Sequence, residues 1–268
     1  MTRQEIRFPS GEHGLSGRLE LPDETPCAFA LFAHCFTCGK DIAAASRVSR
    51  ALTREGIAVL RFDFTGLGNS DGDFGNAGFS SNVDDLVAAA DFLRARYEAP
   101  ALLVGHSLGG AAVLAAAPQI PEAKAVATLG APSEPAHVEH LLTGALGTIE
   151  REGSAEVRLG QRTFRIARPF LEDLRRQELD LRDLGRALLI LHAPRDEVVS
   201  IDEAAQIYRR AKHPKSFVSL DGADHLLTKR ADAEYAARVI AAWASRYLPA
   251  RADDAPEPHL PHGQARVR

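Results

Sequence analysis

Cysteine, methionine, tryptophan and aromatic residues in general are scarce here: three Cys, one Met, one Trp and a 6% aromatic share in 268 residues. Three cysteines, two of them close together, do not form the framework of a small secreted disulfide protein. No apolar run is long enough to cross a bilayer, and the first residues, MTRQEIRFPSGEHG, lack the apolar stretch of a signal peptide. Neither sign of charge dominates: 32 Lys+Arg face 36 Asp+Glu, a formal net charge of −4. That balance gives no electrostatic basis for a nucleic-acid or membrane partner. These absences predict a cytoplasmic protein. What is present, 45% hydrophobic and 25% charged residues, suits a globular domain with a core of enzyme size.

Strand and helix signals alternate along most of the chain. Gln4–Phe8 and Leu15–Leu21, separated by Pro9-Ser10-Gly11-Glu12, read as an antiparallel hairpin. Short apolar runs follow at Cys27–Ala33, Ile57–Asp63, Ala101–Gly105, Ala123–Leu129, Ala187–His192 and Ser216–Leu220. Near-continuous apolarity of that length marks strands covered on both faces. Helices are expected over Asn82–Arg96, with Ser81 and Asp84 as a capping box, over Ile201–Lys212 behind Ser200 and Glu203, and over Ala231–Tyr247. The alternation predicts a mostly parallel sheet with right-handed crossovers. It breaks at residues 131–185, where Ser133–Leu146 and Pro169–Leu184 look helical and Glu156–Leu159 with Thr163–Ile166 looks like a small hairpin. This stretch reads as a cap-like insertion in one domain spanning residues 1–248. Residues 249–268, rich in Pro and charge, read as a flexible tail or linker.

The strongest chemical signal is Gly105-His106-Ser107-Leu108-Gly109-Gly110, between a strand and an Ala-rich helical stretch. Glycines two before and two after the serine permit a sharp, strained turn that projects its hydroxyl at the carboxyl end of the sheet. The helix behind offers backbone N–H groups to a developing oxyanion, with Leu108 N–H the first donor. A serine nucleophile needs a base, and in this arrangement acid and base follow it in that order. Asp196 lies on the loop after Ala187–His192, and His225 on the loop after Ser216–Leu220. Glu197 is the runner-up acid; Asp202 belongs to a helix turn, and Asp221 and Asp224 to the turn before His225. His106 is expected to point away inside the elbow and pack, and His213 to serve a helix end, while His259 and His262 fall in the tail. The second oxyanion donor should come from His34-Cys35-Phe36-Thr37-Cys38-Gly39, with Phe36 N–H the candidate and His34 bracing the loop.

HCFTCGKD, RFDFTGLGNSDGDF, GHSLGG, HAPRDEVV and DGADH together resemble successive signposts of the α/β-hydrolase superfamily, over about residues 5–247. They are most similar to its esterase-like, small-cap branch, related to serine aminopeptidases and monoacylglycerol lipases. Within it, the closest resemblance is to the hydrolase half of bifunctional α/β-hydrolase/OsmC-like proteins, in which an OsmC-like domain follows; this chain ends where that domain would begin. The resemblance implies an α/β-hydrolase fold, a nucleophile at Ser107, an acid at Asp196, a base at His225 and oxyanion donors at Phe36 and Leu108. It implies no metal or organic cofactor and a small-molecule ester substrate. Relatives usually carry HGF-x-G in the oxyanion loop, whereas Cys35 and Cys38 stand here at both glycine positions. A positive φ at either would strain a cysteine.

Two near-matches carry less. Gly66-Leu67-Gly68-Asn69-Ser70-Asp71 imitates a dinucleotide fingerprint without its third glycine or a following helix. Cys35-x-x-Cys38 has no second pair for zinc; the two are expected to be small, half-buried thiols lining the site, with a turn between them that would allow a disulfide on oxidation. Competing readings are an amidase, peptidase, thioesterase or acyltransferase on the same triad, a catalytically silent binding module, or a redox accessory protein using Cys35 and Cys38.

Overall fold

In the computed structural model, which describes residues 1–75, 77–159 and 162–249, the short apolar runs pair into one eight-stranded sheet. Its strands are β1 (Thr2–Ser10), β2 (His13–Leu21), β3 (Ala28–Ala33), β4 (Ile57–Phe62), β5 (Leu102–His106), β6 (Ala125–Leu129), β9 (Ala187–His192) and β10 (Lys215–Ser219). β7 (Ser154–Leu159) and β8 (Arg162–Ala167) form a separate antiparallel pair. The large sheet runs β1-β2-β4-β3-β5-β6-β9-β10. β1 and β2 are antiparallel to each other, β2 is antiparallel to β4, and every later pairing is parallel. Strands β3, β4, β5, β6 and β9 are buried at every residue, which is why they read as unbroken apolar runs.

Helices cover both faces. α1 (Ala43–Arg54) and α7 (Arg230–Ala244) pack on one side, where Val48, Leu52, Ala233 and Ile240 meet Phe32, Val104 and Leu191. α2 (Phe79–Arg96), α3 (Leu108–Ala116) and α6 (Ile201–Arg210) cover the other. The insertion contributes a 3-10 stretch (Pro135–Leu142), α4 (Leu146–Glu152), the β7–β8 pair and α5 (Arg168–Arg176), all joined to that second core layer.

Several boundaries differ from the sequence-based expectation, each for a tertiary reason. The expected helix over Ser133–Leu146 is a 3-10 stretch followed by α4, and the one over Pro169–Leu184 ends at Arg176. α1 was not anticipated. The capping box at Ser81 and Asp84 does not form, because α2 begins earlier, at Phe79 behind Gly78. Its opening amide is satisfied from across the fold: Ser80 N–H donates to Asp173 Oδ2 of α5 at 2.8 Å. A Cβ on Gly78 would lie 2.4 Å from that carboxylate oxygen. Ser200 Oγ does accept from Asp202 N–H at 3.2 Å, but Glu203 turns outward to take Ser133 N–H and Oγ–H at 2.7 and 2.6 Å. The tail assigned to residues 249–268 falls, beyond Pro249, outside the described residues.

The segment after β3 is held by buried charge. Lys40 Nζ lies 2.7 Å from Asp63 Oδ2, with both side chains 2% exposed. Asp63 also accepts from the backbone N–H groups of Lys40, at 2.6 Å, and Asn69, at 3.0 Å. Next to it, the buried Arg61 donates to Glu20 at 2.7 Å, to Asp41 at 2.8 Å and to the carbonyl of Lys40. Removing one partner of such a pair leaves an uncompensated buried charge. We therefore expect Lys40→Met to lower unfolding stability by about 3 kcal/mol in urea titrations; a loss below about 1 kcal/mol would mean that the pair does not anchor this segment.

Candidate active site

Strand order decides which loops meet. β5, β6, β9 and β10 lie side by side, so the loops holding Ser107, Gly130, Asp196 and His225 open at one end of the sheet. Register brings in the loop after β3 as well, because Ala33 pairs with Gly105 of β5.

Ser107 occupies the turn between β5 and α3 at φ 56°, ψ −127°. A non-glycine residue there is strained by about 1–3 kcal/mol and needs neighbours that over-determine it. Three glycines allow that crowding. A Cβ on Gly105 would lie 2.3 Å from Gly109 O, one on Gly109 2.4 Å from His34 O, and one on Gly110 2.5 Å from Ala131 Cβ. Gly109 thereby lets the start of α3 rest on the end of β3. Ser107 N–H donates to Leu129 O at 2.8 Å, and no side chain caps α3. The amide of Leu108, the first residue of the helix, sits at its positive end.

Asp196 and His225 meet directly, with His225 Nδ1 2.7 Å from Asp196 Oδ2. The other carboxylate oxygen accepts from Val198 and Val199 N–H, each at 2.9 Å. Burial alone would raise the Asp196 pKa, but the bonds from His225, Val199 and Val198 outweigh it and hold the carboxyl below its ordinary value. Glu197, the alternative acid, is exposed and makes no such contact. Gly130 lies beneath the pair at φ 55°; a Cβ there would come within 3.2 Å of Asp196 Oδ2 and 3.3 Å of His225 Nδ1. Sequence reasoning missed Gly130, although a glycine directly after a buried strand was a visible signal.

Three further histidines surround this pair. His106 sends Nε2 to the carbonyl of His225 at 2.7 Å, so that nitrogen carries the proton. Burial, with the His225 ring beside it, lowers its pKa to about 4. It therefore braces the His225 loop, a more specific part than the packing role expected. His34 donates through Nδ1 to Cys35 O at 2.9 Å and receives Phe64 N–H on Nε2 at 3.5 Å. That pattern requires the neutral ring, and burial lowers its pKa. His192, not singled out from sequence, bonds Val199 O at 2.8 Å and lies 3.8 Å from Asp196 Oδ2; burial lowers its pKa too.

The expectation of two half-buried thiols is corrected in favour of the bond that a turn between them allows. Cys35 and Cys38 form a disulfide with Cα atoms 5.3 Å apart, close enough because a turn brings Cys38 N–H to Cys35 O at 3.1 Å. Neither cysteine has positive φ; Thr37 takes that conformation at 59°. Phe36, half-buried, packs at a tilt against Phe74 and Phe170, with ring centroids 5.5 and 5.8 Å away. Phe164 and Phe170 come from the insertion, which thus touches the loop after β3. Among the described residues no cluster of three or more His, Cys, Asp or Glu could hold a metal ion.

A mostly parallel sheet with a strained serine turn after a central strand, and an Asp–His pair on later strand ends, defines an α/β-hydrolase. Comparison with known proteins agrees. Residues 28–148 match the family described as "Serine aminopeptidase, S33". The esterase domain of a Rhodothermus marinus protein is 52% identical, with 92% of this chain and 99% of that one covered at a TM-score of 0.76. Mouse palmitoyl-protein thioesterase ABHD10, mitochondrial, is 30% identical over 197 residues, 66% of this chain; the match spans 62% of that relative's length. Est1E from Butyrivibrio proteoclasticus, solved with ferulic acid, shares the fold at 18% identity and a TM-score of 0.74, over 90% of this chain and 98% of that one. The chain belongs to the α/β-hydrolase superfamily, in its esterase-like branch, and is a hydrolase. Among the described residues no helix is long and apolar enough to cross a membrane.

The lowered pKa values carry a sign. His34, His106 and His192 bind protons more readily unfolded than folded, so stability falls as pH drops below the unfolded value of about 6.5. For His106 the loss is complete once pH passes about 4. The melting temperature is expected to fall from pH 6.5 to 4, with a shallower fall in His106→Gln. Parallel curves for the two proteins would show that His106 does not contribute.

Proposed function

We propose that the chain is a serine-dependent carboxylic ester hydrolase acting through Ser107, His225 and Asp196. The observation that carries this reading is the conjunction of the strained Ser107 turn with the 2.7 Å His225–Asp196 bond at the same sheet end. Asp196 holds the proton on Nδ1, leaving Nε2 as the lone-pair nitrogen that takes the Ser107 proton. Ser107 Oγ attacks the ester carbonyl. The negative oxygen that forms is met by the amides of Leu108 and Phe36, and collapse of the intermediate expels the alcohol, protonated by His225. Water then attacks the acyl-enzyme, giving its proton to His225; the second intermediate collapses by breaking the bond to Ser107 Oγ, which takes that proton back as the acid leaves. Each step is neutral overall and calls on nothing beyond the chain, the ester and one water.

The substrate class we infer is a small to medium acyl ester. The support is the cluster beside Phe36: buried Phe74 meets both Phe164 and Phe170 of the insertion, and a pocket bounded by such packed rings suits a short acyl group. Hydrolysis of a thioester is the second reading, favoured by the similarity to the mouse thioesterase. The cytoplasmic location belongs to the same proposal.

Ser107→Ala is expected to lower kcat on the order of 10⁴-fold and to abolish labelling by a fluorophosphonate. Labelling that survives the substitution would place the nucleophile elsewhere. Asp196→Asn should lose most activity with the fold intact, whereas Glu197→Gln should lose little; equal losses would reverse the choice of acid. Across p-nitrophenyl esters, kcat/KM is expected to be higher from acetate to hexanoate than for palmitate. A clear preference for palmitate, or for a palmitoyl thioester over its oxygen ester, would favour the second reading.

A further inference from the structure

We propose that the Cys35–Cys38 disulfide is a positioning element for the oxyanion hole: closed, it aims Phe36 N–H, and opened by a dithiol it lets that donor drift. The inference rests on the functional reading above, in which Phe36 N–H meets the oxyanion.

The geometry runs through one peptide unit. Cys35 C=O and Phe36 N–H belong to the same planar trans peptide and point in opposite directions, so whatever grips the oxygen sets the direction of the N–H. Two donors grip it: His34 Nδ1–H at 2.9 Å and Cys38 N–H at 3.1 Å. The His34 ring is itself fixed, buried against Phe64 at 4.9 Å between ring centroids. Cys38 is less constrained. Residues 36–39 are half-buried, between His34 and the buried Lys40. Thr37, just before Cys38, is a β-branched residue at φ 59°, a conformation that relaxes unless something holds it. The disulfide supplies that hold, tying Cys38 to buried Cys35 and keeping its N–H over the Cys35 carbonyl. The ring of Phe36, packed at a tilt against Phe74 and Phe170, anchors the side chain but leaves the orientation of the preceding peptide to this clamp.

Opening the bond is thiol–disulfide exchange. A thiolate of the dithiol attacks Sγ of Cys38, the half-buried member of the pair. The S–S bond breaks, and the Cys35 sulfur leaves as thiolate and takes a proton. The second thiol of the reagent then attacks the mixed disulfide and releases Cys38. Two electrons and two protons pass to the chain, and the reagent becomes a disulfide. The His34 bond to Cys35 O survives, so the loss should be smaller than the ~10²–10³-fold in kcat that removal of an oxyanion donor costs.

The test compares kcat and KM for p-nitrophenyl butyrate on the full chain, oxidised and after dithiothreitol, with thiols titrated in each state (one expected oxidised, three reduced). Reduction should lower kcat roughly fivefold to fiftyfold, a fraction of a lost oxyanion donor, with KM changed less than about twofold. Reoxidation should restore it. Cys35→Ser/Cys38→Ser should match the reduced enzyme and ignore dithiothreitol, while Cys27→Ser should respond like the parent. Equal kcat in the two titrated states overturns the proposal. So does a rise in KM alone, or a loss of activity that tracks a collapse of the melting curve, which would make the bond a general staple. If the double variant does not fold, the reduced parent enzyme decides the matter by itself. Absence of Ser107-dependent turnover in both states overturns the functional reading, an outcome distinct from turnover that is indifferent to reduction.

Discussion

The close seating of α3 on the end of β3 is the constraint on which the rest of the site depends. Ser107 can hold φ 56° only because Gly105, Gly109 and Gly110 let backbone approach backbone where any side chain would collide. The same approach puts the amino end of α3 against the carbonyls of Ala33 and His34, so the Ser107 turn and the loop after β3 become one unit. Strain at Ser107 is thus not an isolated cost. It is sustained by the contact that also seats Gly109 against the end of β3.

Around that unit the molecule uses buried polar groups as braces. Lys40 with Asp63 and Arg61 with Glu20 fix the chain leaving the loop after β3. His34, His106 and His192 each spend a ring nitrogen on a backbone carbonyl, at Cys35, His225 and Val199 respectively. Burial disfavours their charged forms, so the braces stay neutral beside the Asp196–His225 pair and add no competing charge. Rings that look alike in sequence divide by environment: three hold loops, while the fourth faces a carboxylate.

The insertion belongs to the same logic. Phe164 and Phe170 reach Phe74, and Phe170 and Phe74 reach Phe36. Asp173 of α5 accepts from Ser80 N–H and the Ser80 hydroxyl at the start of α2, so the insertion is joined to the rest of the fold by hydrogen bonds as well as apolar contact. Changes in the cap therefore reach the loop after β3 directly.

Much of the architecture was legible from residues alone. Strands covered on both faces are largely apolar, so short apolar runs announced the parallel sheet, and a serine between glycines after one of them announced the turn. Ser107, Asp196 and His225 could be placed at strand ends because chain order and loop position are local properties. What the sequence could not decide was anything set by who packs against whom. Strand order brought Gly130 under the Asp196–His225 pair; Asp173 displaced the capping box expected at Ser81; α1 and the 3-10 turn owe their form to packing. The fate of Cys35 and Cys38 was of the same kind. Two cysteines three residues apart are compatible with free thiols or a bond, and only the turn at Thr37, stabilised by its surroundings, brings the Cα atoms to 5.3 Å. Periodicity and local chemistry are written along the chain; contacts between distant segments exist only once it has folded.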